Sequence, residues 1–132
     1  MTEEQRPIRV VVAKLGLDGT VLATFPVAER PSAVTSDGAN VWAAFRGADS
    51  TPGTVLKLSQ EGIVLGSFKV GSFPVALSFD GEDIWVADLD ATVTRLRASD
   101  GAFRGAYPTG AFSLWTIIAD GRDIWTTSRG GS

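Results

Sequence analysis

The chain has 132 residues, 44% of them hydrophobic, enough for one ordinary core; its 15 acidic and 12 basic residues are mixed without a polybasic run, which excludes nucleic acid as a partner. Cysteine and histidine are both absent, which excludes disulfides, thiolate nucleophiles and all chemistry that needs an imidazole base or ligand. The polar, acidic opening from Met1 to Pro7 carries no export signal and the longest apolar run, Val10 to Ala13, falls far short of a membrane span, so a cytoplasmic protein with no membrane partner and no cofactor is expected.

In chain order, Val12-Ala13-Lys14-Leu15 reads as a strand, Asp18-Gly19 as a tight turn, and the segment carrying Phe25 as a second strand before the loop Val27 to Pro31. Next comes Asp37-Gly38-Ala39-Asn40-Val41-Trp42, a turn followed by a strand, and then the long loop Phe45 to Gly53. The first pattern returns as Val55-Leu56-Lys57-Leu58 with Glu61-Gly62 and Phe68, and again as Val93-Thr94-Arg95-Leu96 with Asp100-Gly101 and Tyr107. The second returns as Asp80-Gly81-Glu82-Asp83-Ile84-Trp85 and as Asp120-Gly121-Arg122-Asp123-Ile124-Trp125. The loops Val70 to Pro74 and Thr109 to Leu114 join the repeats, the latter with Leu114 in place of proline.

Turn signals fall about every ten residues, and no segment holds helical apolar spacing, so each repeat of roughly forty residues predicts four short antiparallel strands. Glycine accepts the positive φ of a tight hairpin and aspartate tolerates it, which gives Asp37, Asp80 and Asp120 a structural role as turn formers. A large aromatic at a fixed place in every repeat packs between sheets, so Trp42, Trp85 and Trp125 are also read as structural.

The pattern Asp-Gly-x-x-(Val/Ile)-Trp, followed by Val-x-(Lys/Arg)-Leu and Asp/Glu-Gly, resembles the bacterial β-propeller repeats grouped as NHL-like, YVTN-like and streptogramin-lyase-like, over about residues 10 to 129. The resemblance implies an all-β propeller of four-stranded blades whose first strand lines a central channel. The streptogramin lyases catalyse with histidine, and this chain has none, so that activity does not carry over.

Cut in the family's phase, residues 8–27 supply the third and fourth strands of a blade, 31–70 a whole blade, 74–109 another, and 114–128 the first and second strands of a last one. About three blades per chain are too few for a closed ring of four to eight. The expectation is a homodimer in which the half-blades of two copies complete one another, giving six blades. Another closed oligomer, or a piece of a longer or heteromeric propeller, are the alternatives.

The strand ends opposite the Asp-Gly turns form a loop face. Its candidate ligand-binding residues are Glu29, Arg30, Arg46, Asp49, Phe73, Asp88, Asp90, Phe112 and Arg129, and Trp115, on the first strand of the third repeat, is a further candidate beside the channel. Asp88 and Asp90 could share a hard cation, but calcium takes six to eight oxygens and the other repeats lack the pair, so no metal is expected. No catalytic constellation is visible. The reading is a non-enzymatic scaffold or binding module for a protein, peptide or glycan; the alternative is a carboxylate-based lyase or hydrolase, or a sugar-binding propeller.

Overall fold

The structure, a computed structural model, describes residues 11–27, 29–47 and 52–128. These form twelve strands: β1 Val11–Leu15, β2 Val21–Pro26, β3 Pro31–Ser36, β4 Val41–Phe45, β5 Thr54–Leu58, β6 Val64–Lys69, β7 Pro74–Phe79, β8 Asp83–Asp88, β9 Thr92–Arg97, β10 Phe103–Pro108, β11 Leu114–Ala119 and β12 Ile124–Ser128. Among the described residues there is no helix. The protein is all-β.

Four antiparallel sheets result, two of four strands (β3 to β6 and β7 to β10) flanked by two of two strands (β1-β2 and β11-β12), with the order in each sheet following the chain. No ladder joins β1 or β2 to β12. The first strands of successive sheets, β3 with β7 and β7 with β11, lie against one another, which makes the four sheets blades of a propeller arc.

The core lies in the gaps between blades, and strand alternation explains why. Successive side chains point to opposite faces: on β4, Trp42 and Ala44 join a cluster with Leu77, Ile84, Val86 and Leu96 of the next blade, while Ala43 and Phe45 face the β1-β2 pair. On β8, Ile84 and Val86 face back to that cluster, and Trp85 and Ala87 face forward to Leu114 and Ile117 on β11. Central strands are thus apolar on both faces. Polar bonds cross the same gaps: Ser32 Oγ donates to the Pro74 carbonyl at 2.6 Å, and the Ala119 amide donates to Ser78 Oγ at 2.9 Å.

Candidate functional site

Two kinds of position matter, the repeated Asp-Trp pairs and the loop face. In each pair the aspartate holds its own turn and the tryptophan together. Asp37 Oδ1 accepts from the amides of Ala39 and Asn40 at 2.9 and 2.7 Å, and its Oδ2 accepts from Trp42 Nε1 at 2.9 Å. Asp80 does the same with Glu82, Asp83 and Trp85, and Asp120 with Arg122, Asp123 and Trp125. Burial pushes the Asp37 and Asp80 carboxyls up, but these hydrogen bonds outweigh it and leave both below the ordinary carboxylate range. At Asp120 the Asp123 amide has the largest effect, and the shift is again downward. The motif spacing is explained: the turn brings the carboxylate back over the indole five residues on.

The three indoles differ in what covers them. Trp42 is fully buried, stacked on Phe68 of β6 at 5.7 Å with Lys57 Nζ 5.4 Å from its ring. Trp85 is partly buried, with Tyr107 of β10 at 6.0 Å and the Arg95 guanidinium at 4.8 Å. Trp125 is 60% exposed. Among the described residues its sheet has two strands, without the third and fourth strands that supply the cation and the aromatic ring elsewhere.

On the loop face the register sets Pro31, Phe45, Thr54 and Lys69 at one end of the first complete blade, and Pro74, Asp88, Thr92 and Pro108 at the same end of the next. Glu29, Arg30, Arg46, Asp90 and Phe112 are exposed. Trp115, the second residue of β11 at the first-strand position, is half exposed. Phe73 adopts φ of +54°, and its carbonyl accepts from the Leu89 amide at 2.9 Å, which ties the interblade loop to the end of β8. Asp49 and Arg129 lie outside the described residues. A hollow of about 250 Å³ between Glu29, Phe45, Thr54, Leu56 and Ser67 opens beside the β1-β2 pair.

Asp88 and Asp90 do not form a joint carboxylate site. Asp88 is fully buried: its Oδ2 accepts from Thr94 Oγ1 at 3.0 Å, and its Oδ1 has no partner. Asp90 is exposed, and its Oδ1 accepts from the Thr92 amide at 3.2 Å in the next turn. Burial pushes the Asp88 carboxyl up to about 7; the Thr94 bond opposes this, the Asp90 charge adds to it, and the Gly71 amide opposes it.

A second charged cluster carries no signal in the sequence. Asp83, fully buried, holds Arg95 at 2.6 Å through Oδ2 and Arg104 at 3.2 Å through Oδ1, and Arg104 also reaches Glu82 at 3.0 Å. Removing either guanidinium partner would leave part of a buried carboxylate charge uncompensated, at a cost in stability. Among the described residues, no three acidic side chains converge in a way that would hold a metal.

Comparison with solved structures identifies the fold. The WD40 β-propeller domain of Doa1 matches with a TM-score of 0.66 at 20% identity over 83% of this chain and 38% of that one. The RRP9 WD40 repeats match at 0.72 and 18% identity, over 89% and 38% respectively. BamB from Moraxella catarrhalis matches at 0.65 and 17% identity, over 90% and 35%. The chain thus spans less than two fifths of each of these propellers. The sequence matches no family model and no curated protein.

Proposed function

We propose that this chain is a non-enzymatic propeller scaffold that forms half of a six-bladed ring with a second copy and presents its loop face to a protein, peptide or glycan. The observation that carries the reading is the pair of two-stranded sheets. In both complete blades the second and third strands are paired, as β4-β5 and β8-β9; β12 stands at a second-strand position and β1 at a third-strand position, and among the described residues no strand pairs with either on that edge. An open ladder edge is a template for another strand. Two copies would close both edges, and two complete blades plus one composite blade per copy add up to six.

The repeat pattern supports placing the blades with the NHL-like and YVTN-like groups. The state of the carboxylates favours a scaffold over a carboxylate enzyme, which needs two carboxyls open to one substrate: Asp88 is sealed, and Asp90 caps a turn. Static light scattering tests the ring. The expected mass is twice the chain's 13.9 kDa, and a well-folded monomer at every concentration overturns the reading.

A further inference from the structure

The proposed ring predicts not only that two copies meet but which side chains meet, because each complete blade shows what the composite blade would need. Trp42 and Trp85 each take an aromatic ring from the fourth strand of their own blade and a cation from the third: Phe68 and Lys57, then Tyr107 and Arg95. The same places on β1 and β2 hold Lys14 and Phe25. We propose that the seat for Trp125 lies on a second copy of this chain, where its indole packs on Phe25 beside Lys14, with β12 of one copy paired to β1 of the other. This inference rests on the ring reading and adds its contacts and register.

The seat is visible as a cleft. An opening of about 310 Å³, mostly apolar, lies between the β1-β2 pair and the first complete blade, and Lys14 and Phe25 line it. The facing blade contributes Val34, Ser36, Val41, Leu58 and Gln60. These correspond, repeat for repeat, to Leu77, Phe79, Ile84, Leu96 and Ala98, which pack with Trp42 in the central core cluster. The cleft is therefore the Trp42 pocket of the neighbouring gap without its indole, and Trp125 is the corresponding indole without its pocket.

A second vacancy is independent of the first. A Cβ on Gly62 would overlap the ring of Phe25, and a Cβ on Gly101 the ring of Phe68; in both cases the fourth-strand aromatic of one blade sits on the hairpin glycine of the next. Gly19 holds the same hairpin place on the β1-β2 pair, with φ of +90° and nothing within 4 Å of an added Cβ. Tyr107, the fourth-strand aromatic that among the described residues has no such glycine to rest on, is 42% exposed. In the composite ring, Tyr107 of one copy would rest on Gly19 of the other. Leu15 and Leu17, both exposed, would then cover Trp85, as Leu96 and Ala98 cover Trp42.

The complete blades fix the register. Trp42 pairs with Lys57 and Ala43 with Leu56, and in the next blade Trp85 pairs with Arg95 and Val86 with Thr94. Trp125 would therefore stand opposite Lys14, and Thr126 opposite Ala13, with Cα atoms about 4.5 to 5.5 Å apart, within disulfide reach. The absence of cysteine makes this easy to test. Full-length Ala13→Cys and Thr126→Cys are mixed and oxidised: the mixture should give a covalent heterodimer, and neither variant alone should cross-link. Val11→Cys mixed with Thr126→Cys, two residues out of register, should cross-link far less.

Light scattering of the same samples separates the outcomes. A dimer that fails to link Ala13→Cys to Thr126→Cys overturns this seam while leaving two-copy association standing. A monomer, or a double variant that closes its disulfide within one chain, overturns both. Trp125→Ala should raise the dissociation constant about thirtyfold per seam, and on the order of a thousandfold for the two seams of a ring; unchanged association also overturns the seat.

Discussion

Replacing Asp88 with asparagine should abolish a pH dependence that the wild-type chain carries near neutrality. The substitution keeps the size of the side chain and an oxygen for Thr94 Oγ1, and it removes the charge. Burial moves the carboxyl from the ordinary 3.8 to about 7 in the folded chain. Between those values the folded chain holds a proton that the unfolded chain has released, so the neutral carboxyl favours the fold at low pH and that advantage is lost as pH rises through about 7. The slope within the window is about 1.4 kcal/mol per pH unit, and the whole span is worth on the order of 4 kcal/mol. Between pH 5 and 6.5 the wild-type chain should lose roughly 2 kcal/mol, or about 8 °C in melting temperature for a chain of this size. Asp37 and Asp80, held below the ordinary range, titrate well beneath this interval. Denaturant melts at several pH values and one fixed protein concentration measure the effect, since association would shift the midpoint by mass action. A new amide in the Oδ1 position costs the same at every pH, so the difference in slope is the readout. Equal slopes for Asp88→Asn and wild type between pH 5 and 7 would refute the reasoning.

Asp37→Ala strips the Trp42 Nε1 donor and two turn amides of their acceptor and should cost about 2 to 4 kcal/mol in a urea melt; Asp120→Ala, beside an exposed indole, should cost less than half of that in a chain kept monomeric by dilution. Gly101→Ala combines φ of +75° with overlap on the Phe68 ring, whereas Gly38→Ala meets φ of +92° and open space. The first should destabilise by roughly 3 kcal/mol and the second by roughly 1 kcal/mol, and equal losses would show that the ring yields.

The hairpins were legible in the sequence because turn chemistry is local. Asp-Gly or Glu-Gly sits at each of the six repeated turns, and all six glycines, from Gly19 to Gly121, have positive φ. The environment of a tryptophan is not local: Trp42 and Trp125 share one motif, yet one is fully buried and the other 60% exposed. What differs is the fourth strand and the adjoining blade, and both lie tens of residues away. Asp88 was harder still to read. Its neighbour Asp90 suggests an exposed pair, but the interblade loop runs over the end of β8, where a Cβ on Gly71 would come within 2.5 Å of the Asp88 carboxylate. Phe45 and Ser128 stand at the same strand end in the other repeats, so no recurring residue type marks the position. The Asp83 cluster needs Arg95 and Arg104 from two further strands, and only the register brings them together.

The aromatic ring resting on a neighbour's hairpin glycine has a consequence for how such proteins lengthen. Phe25 on Gly62 and Phe68 on Gly101 are the same joint made twice, with the ring supplied by the earlier repeat and the flat surface by the later one. A unit that carries one half of the joint at each side is interchangeable with its neighbours. Tandem duplication of residues 31–70 would therefore insert a blade that already carries both halves of the joint, Gly62 and Phe68, and arcs of different span could arise from one ancestral segment with that joint kept at every seam.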